Sequence, residues 1–167
     1  MFEHPLQERL LHFAMQSVDT PVGRVQYRQA GHIHAARTWV LLHGIGSGSA
    51  NWLAQFEAAA SAPDDACVLA WEAPGYGESD PVSPAQPRAC DYAHHLWAWL
   101  DALHIMQPIT LVGHSLGALM AASAATAHPT RVEQLWVLSP AQGYGASPAE
   151  VRQQKRDDRL HNLATLG

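Results

Sequence analysis

A chain of 167 residues is long enough for one domain with a sizeable core and too short for two comfortable ones. Hydrophobic residues make up 47% of it and charged residues only 15%, which indicates a globular chain and excludes compositional disorder. The net charge is -5, and the only cluster of basic residues is Arg152, Lys155, Arg156 and Arg159. This balance argues against a nucleic-acid partner or an anionic membrane surface.

Cysteine and histidine usage predicts no cofactor and no metal site. Cys67 and Cys90 lie in unrelated segments without the spacing of a zinc site, so both are expected to be reduced thiols. The eleven histidines are scattered, and most are interpreted as solvated surface residues. The N-terminus lacks the pattern of a signal peptide, and no apolar stretch reaches membrane-spanning length. A cytoplasmic location is therefore expected.

Apolar patterning predicts strands and helices that alternate along the chain. An opening hairpin is expected from residues 12–19 and 24–30, with a turn formed by the Pro and Gly of residues 20–23. Buried strands are then predicted at 39–42, 68–71, 109–112 and 135–138, and helices at 51–62, 92–103, 118–127 and 147–163. This alternation predicts an α/β fold, with a mostly parallel sheet and helices on both faces.

Residues 113 to 117 read Gly-His-Ser-Leu-Gly, a G-x-S-x-G pattern between a predicted strand and a predicted helix. In that context the pattern predicts a sharp strand-to-helix turn that holds the hydroxyl of Ser115 above the end of a parallel sheet. A side chain at Gly113 or Gly117 would collide with the neighbouring strand or helix. Ser115 is therefore the candidate nucleophile.

Two backbone amides are candidates for stabilising an oxyanion next to that serine. One is the N–H of Leu116 at the start of the helix, and the other is the N–H of Ile45 in the glycine-rich loop at 43–48. That loop lacks the Gly-Lys-Ser/Thr ending of a P-loop and the G-x-G-x-x-G spacing of a dinucleotide site, which disfavours nucleotide binding. His43 and His114 are expected to brace the two loops by hydrogen bonds rather than act as a base.

Three motifs in this order and spacing resemble the α/β-hydrolase superfamily. They are His43-Gly44-Ile45-Gly46 followed by Trp52, then Pro74-Gly75-Tyr76-Gly77-Glu78-Ser79, and then Gly113-His114-Ser115-Leu116-Gly117-Ala118. Residues 71–77 and 140–143 are similar to the branch that contains enol-lactonase-like and carbon–carbon-bond hydrolases. The resemblance covers residues 12–145, and it implies a serine hydrolase acting on an ester, lactone or activated ketone carbonyl of a small molecule.

The chain departs from the family pattern after Ser115. In this fold an Asp or Glu and then a His follow the serine, on loops after late strands. Here the remaining residues supply only one further strand and one helix. The resemblance therefore implies an α/β-hydrolase fold truncated after the sixth strand, with residues 1–145 as the N-terminal part of the core. Residues 146–167 are the expected start of a helical cap, and the catalytic acid and histidine are expected to be missing.

Several alternatives remain open at this point. Asp157 or Asp158 with His161 has the right order for a triad, but a charged, solvated helix face is the favoured interpretation. His128 lies at the far end of the helix that follows the serine, too distant for a base. Two other classes are a non-catalytic binding protein that kept part of the fold, and a chain whose sheet is completed by another polypeptide; the oligomeric state is open. The aromatic residues Trp52, Trp71 and Tyr76 either line an apolar pocket or pack in the core and loops.

Overall fold

The computed structural model describes residues 5–142 and 146–166, which form one six-stranded sheet and five α-helices. The strands are β1 Gln16–Thr20, β2 Gly23–Ala30, β3 Arg37–Leu42, β4 Ala66–Trp71, β5 Ile109–His114 and β6 Val132–Leu138. The helices are α1 Pro5–Leu10, α2 Leu53–Ser61, α3 Ala89–Ala102, α4 Leu116–Ala127 and α5 Ala149–Leu166, with short 3₁₀ helices at Ser49–Trp52 and Pro129–Arg131.

The sheet order is β1-β2-β4-β3-β5-β6, and the three pairings among the last four strands are parallel. The hairpin of β1 and β2 is antiparallel, and β2 also pairs antiparallel with β4. The predicted mostly parallel sheet is therefore confirmed. Because the carboxyl ends of parallel strands meet at one edge of the sheet, the loops after β3, β4 and β5 lie together there.

Helices cover both faces of the sheet, as the alternating pattern predicts. On one face α3 and α4 pack on side chains of the central strands, with Trp99 stacked on Trp71 at 5.9 Å between ring centroids. On the other face α2 packs on Leu41 and Ala70. Successive residues of β3 and β4 thus enter opposite cores, which explains why their sequences are continuously apolar rather than alternating.

The first strand is shorter than the sequence predicts, because it begins at Gln16 and not at residue 12. The reason is that Phe13 does not pair in the sheet. Its side chain is buried against α2, and its ring lies 5.4 Å from that of Phe56. The segment before β1 thus belongs to the helical layer. The predicted Pro-Gly turn is confirmed, since Thr20 pairs with Gly23 across it.

Strand β6 exists where it is predicted, but it is not buried. Its residues Leu135, Trp136, Val137 and Leu138 are 39–49% exposed, and among the described residues β6 pairs with β5 alone. An apolar run is buried only if its neighbours cover it fully, and the contacts of β6 with β5, α4 and Trp39 leave its side chains partly exposed. The prediction of a fourth buried strand is therefore wrong, and β6 lies at the edge of the described sheet.

Helix α5 follows the predicted helix, and its side chains from Ala149 to Asp158 are exposed. The predicted domain boundary at 145/146 adjoins residues 143–145, which lie outside the described part of the chain, and it stays a prediction. Within the described ranges, no helix is both long enough and apolar enough to cross a bilayer.

Candidate active site

Ser115 occupies a one-residue turn between β5 and α4. Its backbone adopts φ 55° and ψ -114°, a conformation that L-residues rarely adopt and that costs about 1–3 kcal/mol. Its N–H donates to the carbonyl of Leu138 at 3.0 Å, and its carbonyl accepts from the N–H of Ala141 at 3.1 Å. The turn is therefore held against the end of β6 as well as by its own strand and helix.

The glycines on either side of the serine are required by close packing. A Cβ on Gly113 would lie 2.3 Å from the carbonyl oxygen of Gly117, and a Cβ on Gly117 would lie 2.3 Å from the carbonyl oxygen of Leu42. Both distances are far inside van der Waals contact, so the backbone itself would have to move. The predicted requirement for glycine at these two positions is confirmed.

The loop after β3 lies directly against the serine. A Cβ on Gly44 would come within 2.9 Å of the Cβ of Ser115, so only a residue without a side chain allows this approach. Beyond it, Ile45 is 50% exposed and Gly46 has φ +69°. Neither the N–H of Ile45 nor that of Leu116 has a hydrogen-bond partner within the described ranges. The structure thus brings the three predicted site residues to one edge of the sheet.

His43 braces this loop through both nitrogens of its ring. The N–H of Ala73 donates to Nε2 at 3.0 Å, so Nε2 carries the lone pair, and Nδ1–H donates to the carbonyl of Gly44 at 2.8 Å. The residue is only 2% exposed, and the edge of Tyr76 packs on its ring at 4.9 Å. A ring with both nitrogens engaged cannot take a proton from Ser115, which agrees with the predicted bracing role.

A cavity of about 200 Å³ opens next to the serine turn. Trp52 and Leu138 give it apolar walls, and Asn51 and Ser47 give it a polar side on which the amide of Asn51 donates to Ser47 Oγ at 2.6 Å. It is also lined by His43 and His114. Its mixed lining suits a small chemical group that carries both apolar and polar atoms.

The three aromatic residues singled out from the sequence have different surroundings. Trp52 lines the cavity while most of its surface packs with α2. Trp71 is fully buried in the core against Trp99, and Tyr76 packs on the ring of His43. Only Trp52 is therefore placed to touch a ligand near Ser115, and the packing interpretation holds for Trp71.

The acidic residues of the C-terminal helix do not reach the serine. Asp157 Oδ1 accepts from the amide of Gln153 at 2.8 Å, and Asp158 Oδ1 accepts from that of Gln154 at 2.9 Å, each within one turn of α5. His161 is exposed on the same helix. These groups behave as a solvated helix face. Ser115 Oγ has no hydrogen-bond partner in residues 5–142 and 146–166.

Two buried groups away from the serine turn have shifted pKa values. Burial in β4 raises the pKa of the Cys67 thiol to about 12. Burial in α3 lowers the pKa of His95, and its neighbour His94 adds to the effect. His95 is 6% exposed, so it is not one of the solvated surface histidines. Within the described part of the chain, no cluster of three His, Cys, Asp or Glu residues is arranged to hold a metal ion.

Two residues near the site were not predicted from the sequence. Glu72 follows β4 and is buried, and its carboxylate accepts from both the N–H and the hydroxyl of Ser49. The sequence could have indicated Glu72, because its carboxylate directly follows a predicted buried apolar strand, where an unpaired charge is costly. Its partner could not be identified, because Ser49 comes near it only through the pairing of β3 with β4.

Comparison with known proteins places this geometry in a family. Residues 39–165 match the family model described as the alpha/beta hydrolase fold. A 2-hydroxy-6-oxononadienedioate/2-hydroxy-6-oxononatrienedioate hydrolase from Paraburkholderia phymatum is 34% identical over 153 residues, which cover 86% of this chain and 52% of that protein. Abhydrolase domain-containing protein abhd-5.2 from Caenorhabditis elegans is 32% identical over 133 residues, covering 74% of this chain and 27% of that protein.

The solved structures agree with the sequence relatives. Epoxide hydrolase A from Mycobacterium thermoresistibile has a TM-score of 0.64 and 27% identity over 74% of this chain and 38% of its own. The chain thus spans about half or less of the length of these relatives, which fits the predicted N-terminal part, and the Paraburkholderia enzyme agrees with the predicted carbon–carbon-bond hydrolase branch. With six strands, helices on both faces and a serine turn after β5, the chain belongs to the alpha/beta hydrolase fold family.

Proposed function

We propose that this chain carries the nucleophile and the oxyanion hole of a serine hydrolase that acts on an ester, lactone or activated ketone carbonyl of a small molecule. The observation that carries the proposal is the backbone of Ser115, which is held at φ 55° between β5 and α4. Strained residues of this kind persist where the surrounding structure enforces them, and they cluster at functional sites. The relative named as a hydrolase of 2-hydroxy-6-oxo diacids supports a carbonyl substrate.

In the proposed reaction, Ser115 Oγ attacks the carbonyl carbon and the π electrons move to the carbonyl oxygen. The N–H groups of Ile45 and Leu116 donate to that oxygen as it becomes negative, and losing one such donor typically lowers turnover by about a hundred- to a thousandfold. The cavity beside Trp52 and Leu138 would hold the apolar part of the substrate.

The serine proton needs a base, and no described residue is in hydrogen-bond contact with Ser115 Oγ. We therefore propose that the catalytic histidine and its acidic partner lie outside these 167 residues. In a serine protease, removal of the histidine lowers kcat by about a millionfold. The 167-residue chain alone is accordingly proposed to be a very weak hydrolase.

A phosphonate ester with a p-nitrophenyl leaving group tests the nucleophile. With excess imidazole in solution as the base that the chain lacks, its reaction forms a bond between Ser115 Oγ and phosphorus, releases p-nitrophenolate and passes the serine proton to imidazole. We expect peptide mapping to find the adduct on Ser115, and Ser115→Ala to abolish it. Ser123→Ala, in the middle of α4 and away from the turn, is the matched control and should label normally. Labelling at another serine, or undiminished labelling of Ser115→Ala, would refute the assignment.

The second candidate function is a non-catalytic binding protein that keeps part of the hydrolase fold. It is favoured by one observation, the absence of a base next to Ser115 within the described ranges, since His43 uses both ring nitrogens elsewhere. Robust ester turnover by the purified chain, lost in Ser115→Ala, would eliminate it. Ligand binding in the cavity that is unaffected by Ser115→Ala, with no turnover, would favour it.

The remaining parts of the proposal concern surroundings and partners. We propose a small-molecule substrate, no nucleic-acid or membrane partner, no cofactor, and a cytoplasmic location. The support is the net charge of -5, the confinement of the basic cluster to α5, and two cysteines that are both free in the structure.

A further inference from the structure

Glu72 is a buried carboxylate that, among the described residues, accepts hydrogen bonds only from Ser49 at the far end of the glycine loop. The residue is 8% exposed, and its Oε1 accepts from the N–H of Ser49 at 3.0 Å and from the hydroxyl of Ser49 at 2.6 Å. No lysine or arginine of the described ranges pairs with it. Burying a carboxylate is costly unless hydrogen bonds offset the lost hydration, so the contact with Ser49 stabilises both groups.

Glu72 and His43 hold the two ends of the same loop. His43 Nδ1–H donates to Gly44 at the beginning, and Glu72 binds Ser49 at the end. The two side chains are neighbours, with 3.8 Å between His43 Nε2 and Glu72 Oε2. A Cβ on Gly48 would lie 2.8 Å from that same Oε2, so the loop backbone rests directly on the carboxylate.

The segment between these two anchors carries the candidate oxyanion donor. Ile45 is 50% exposed, and a Cβ on Gly46 would meet no atom within 4 Å, so neighbouring side chains do little to fix residues 45 and 46. Its placement against Ser115 is set at Gly44, whose backbone approaches the serine closely. The direction of the Ile45 N–H therefore depends on how firmly the loop is held at its ends.

We propose that Glu72 is a positioning residue, which aims the Ile45 N–H at the developing oxyanion by fixing Ser49 and Gly48. The inference rests on the proposed role of Ser115 and deepens it. Glu72 itself touches no reacting atom in this scheme. It acts through the loop, so its loss should weaken oxyanion stabilisation selectively rather than slow every reaction of the serine.

Two phosphonate probes that differ in one atom measure this selectivity. One is a p-nitrophenyl methylphosphonate diester with a P=O group, and the other is its P=S analogue, since sulfur accepts hydrogen bonds poorly. In each reaction the bond from Ser115 Oγ to phosphorus forms, the bond to p-nitrophenolate breaks, and the serine proton goes to the imidazole that is added as the base. The ratio of the two labelling rates reports the hydrogen bonds made to the phosphoryl oxygen.

The variants separate positioning from general damage. Glu72→Met removes the hydrogen-bond acceptor but keeps a side chain of similar length. We expect the ratio of the P=O to the P=S labelling rate to fall at least about tenfold, which is less than the hundredfold or more lost in turnover when an oxyanion donor is removed. Ser49→Ala removes only the hydroxyl bond and should lower the ratio a few-fold. Glu72→Gln keeps an acceptor for Ser49 and should restore most of the ratio. Glu78→Met, an exposed carboxylate in the adjoining turn, is the control.

A wild-type ratio in Glu72→Met and Ser49→Ala, with both probes slowed equally, would overturn the inference. If the unmodified chain is not labelled at Ser115, the proposed function fails. The role of Glu72 is then tested separately, by the mobility of the backbone amides of the loop. In that case the NMR order parameters of Ile45 and Ser47 should drop from about 0.85 toward 0.6 or less in Ser49→Ala and Glu72→Met. Unchanged order parameters would show that Glu72 does not hold the loop.

Discussion

Replacing Ser115 by glycine should stabilise the fold while removing the proposed nucleophile. The backbone at φ 55° and ψ -114° costs a residue with a Cβ about 1–3 kcal/mol, and glycine avoids this cost. Against that, glycine gives the unfolded chain more freedom, worth about 0.5–1 kcal/mol relative to alanine. The expected net gain in free energy of unfolding is about 1 kcal/mol, or about 2–4 °C in Tm for a domain of this size.

Ser115→Ala provides the matched comparison, because it keeps the Cβ and removes only the hydroxyl. Ser115 makes no side-chain cap bond to α4, so this change should alter the free energy of unfolding by less than about 0.5 kcal/mol. Urea denaturation followed by circular dichroism measures both variants. His104→Gly is a positive control, since His104 is an exposed residue with φ 58° after α3. If Ser115→Gly is no more stable than Ser115→Ala while His104→Gly gains stability, the strain argument is wrong.

Three further predictions concern the rest of the domain. At pH 8 a thiol reagent should modify one cysteine in the native protein, the exposed Cys90, and both cysteines in denaturant. The reason is that burial raises the pKa of Cys67 to about 12. Fast modification of both thiols in the native protein would contradict this prediction. The free energy of unfolding should fall as the pH drops from 6.5 through the lowered pKa of folded His95, because the unfolded chain binds the proton first. His95→Gln should flatten this dependence of stability on pH. An unchanged dependence in His95→Gln would exclude His95 as its source. The exposed edge strand β6 should make the unmodified chain self-associate in sedimentation. Val137→Lys should reduce this association with little change in stability, because it places a charge on the edge strand. Equal association of Val137→Lys and the unmodified chain would show that β6 is not the surface through which the chain associates.

The serine turn could be predicted from the sequence because most of its constraints are local. The pattern at 113–117 contains the glycines, the proposed nucleophile and the start of α4. Gly113 is required by the backbone of Gly117 and Ala118 in the same turn, whereas Gly117 is required by the carbonyl oxygen of Leu42 on β3. The same holds for the hairpin turn and for the continuously apolar strands β3 and β4. Local sequence patterns predict such turns and strands, while the burial of each strand depends on its neighbours.

Features that depend on distant neighbours could not be predicted in this way. The run at 135–138 has the composition of a buried strand, but its burial depends on whether another element covers it. The contact between Glu72 and Ser49 exists only because β3 and β4 pair in a particular register. His95 reads as a polar residue on an amphipathic helix, yet the packing of α3 buries it. In each case tertiary contacts override the local preference.

The order of the strands also has a kinetic consequence for the candidate site. The two central pairings join Val40 to Leu69 and Val40 to Leu111, segments far apart in the chain, and such non-local pairings form slowly. The loops at 43–49 and 72–79 and the turn at 113–117 meet only after both pairings are in place. The reactivity of Ser115 should therefore appear no earlier than the last global phase of refolding. The time at which it appears would report when the sheet is complete.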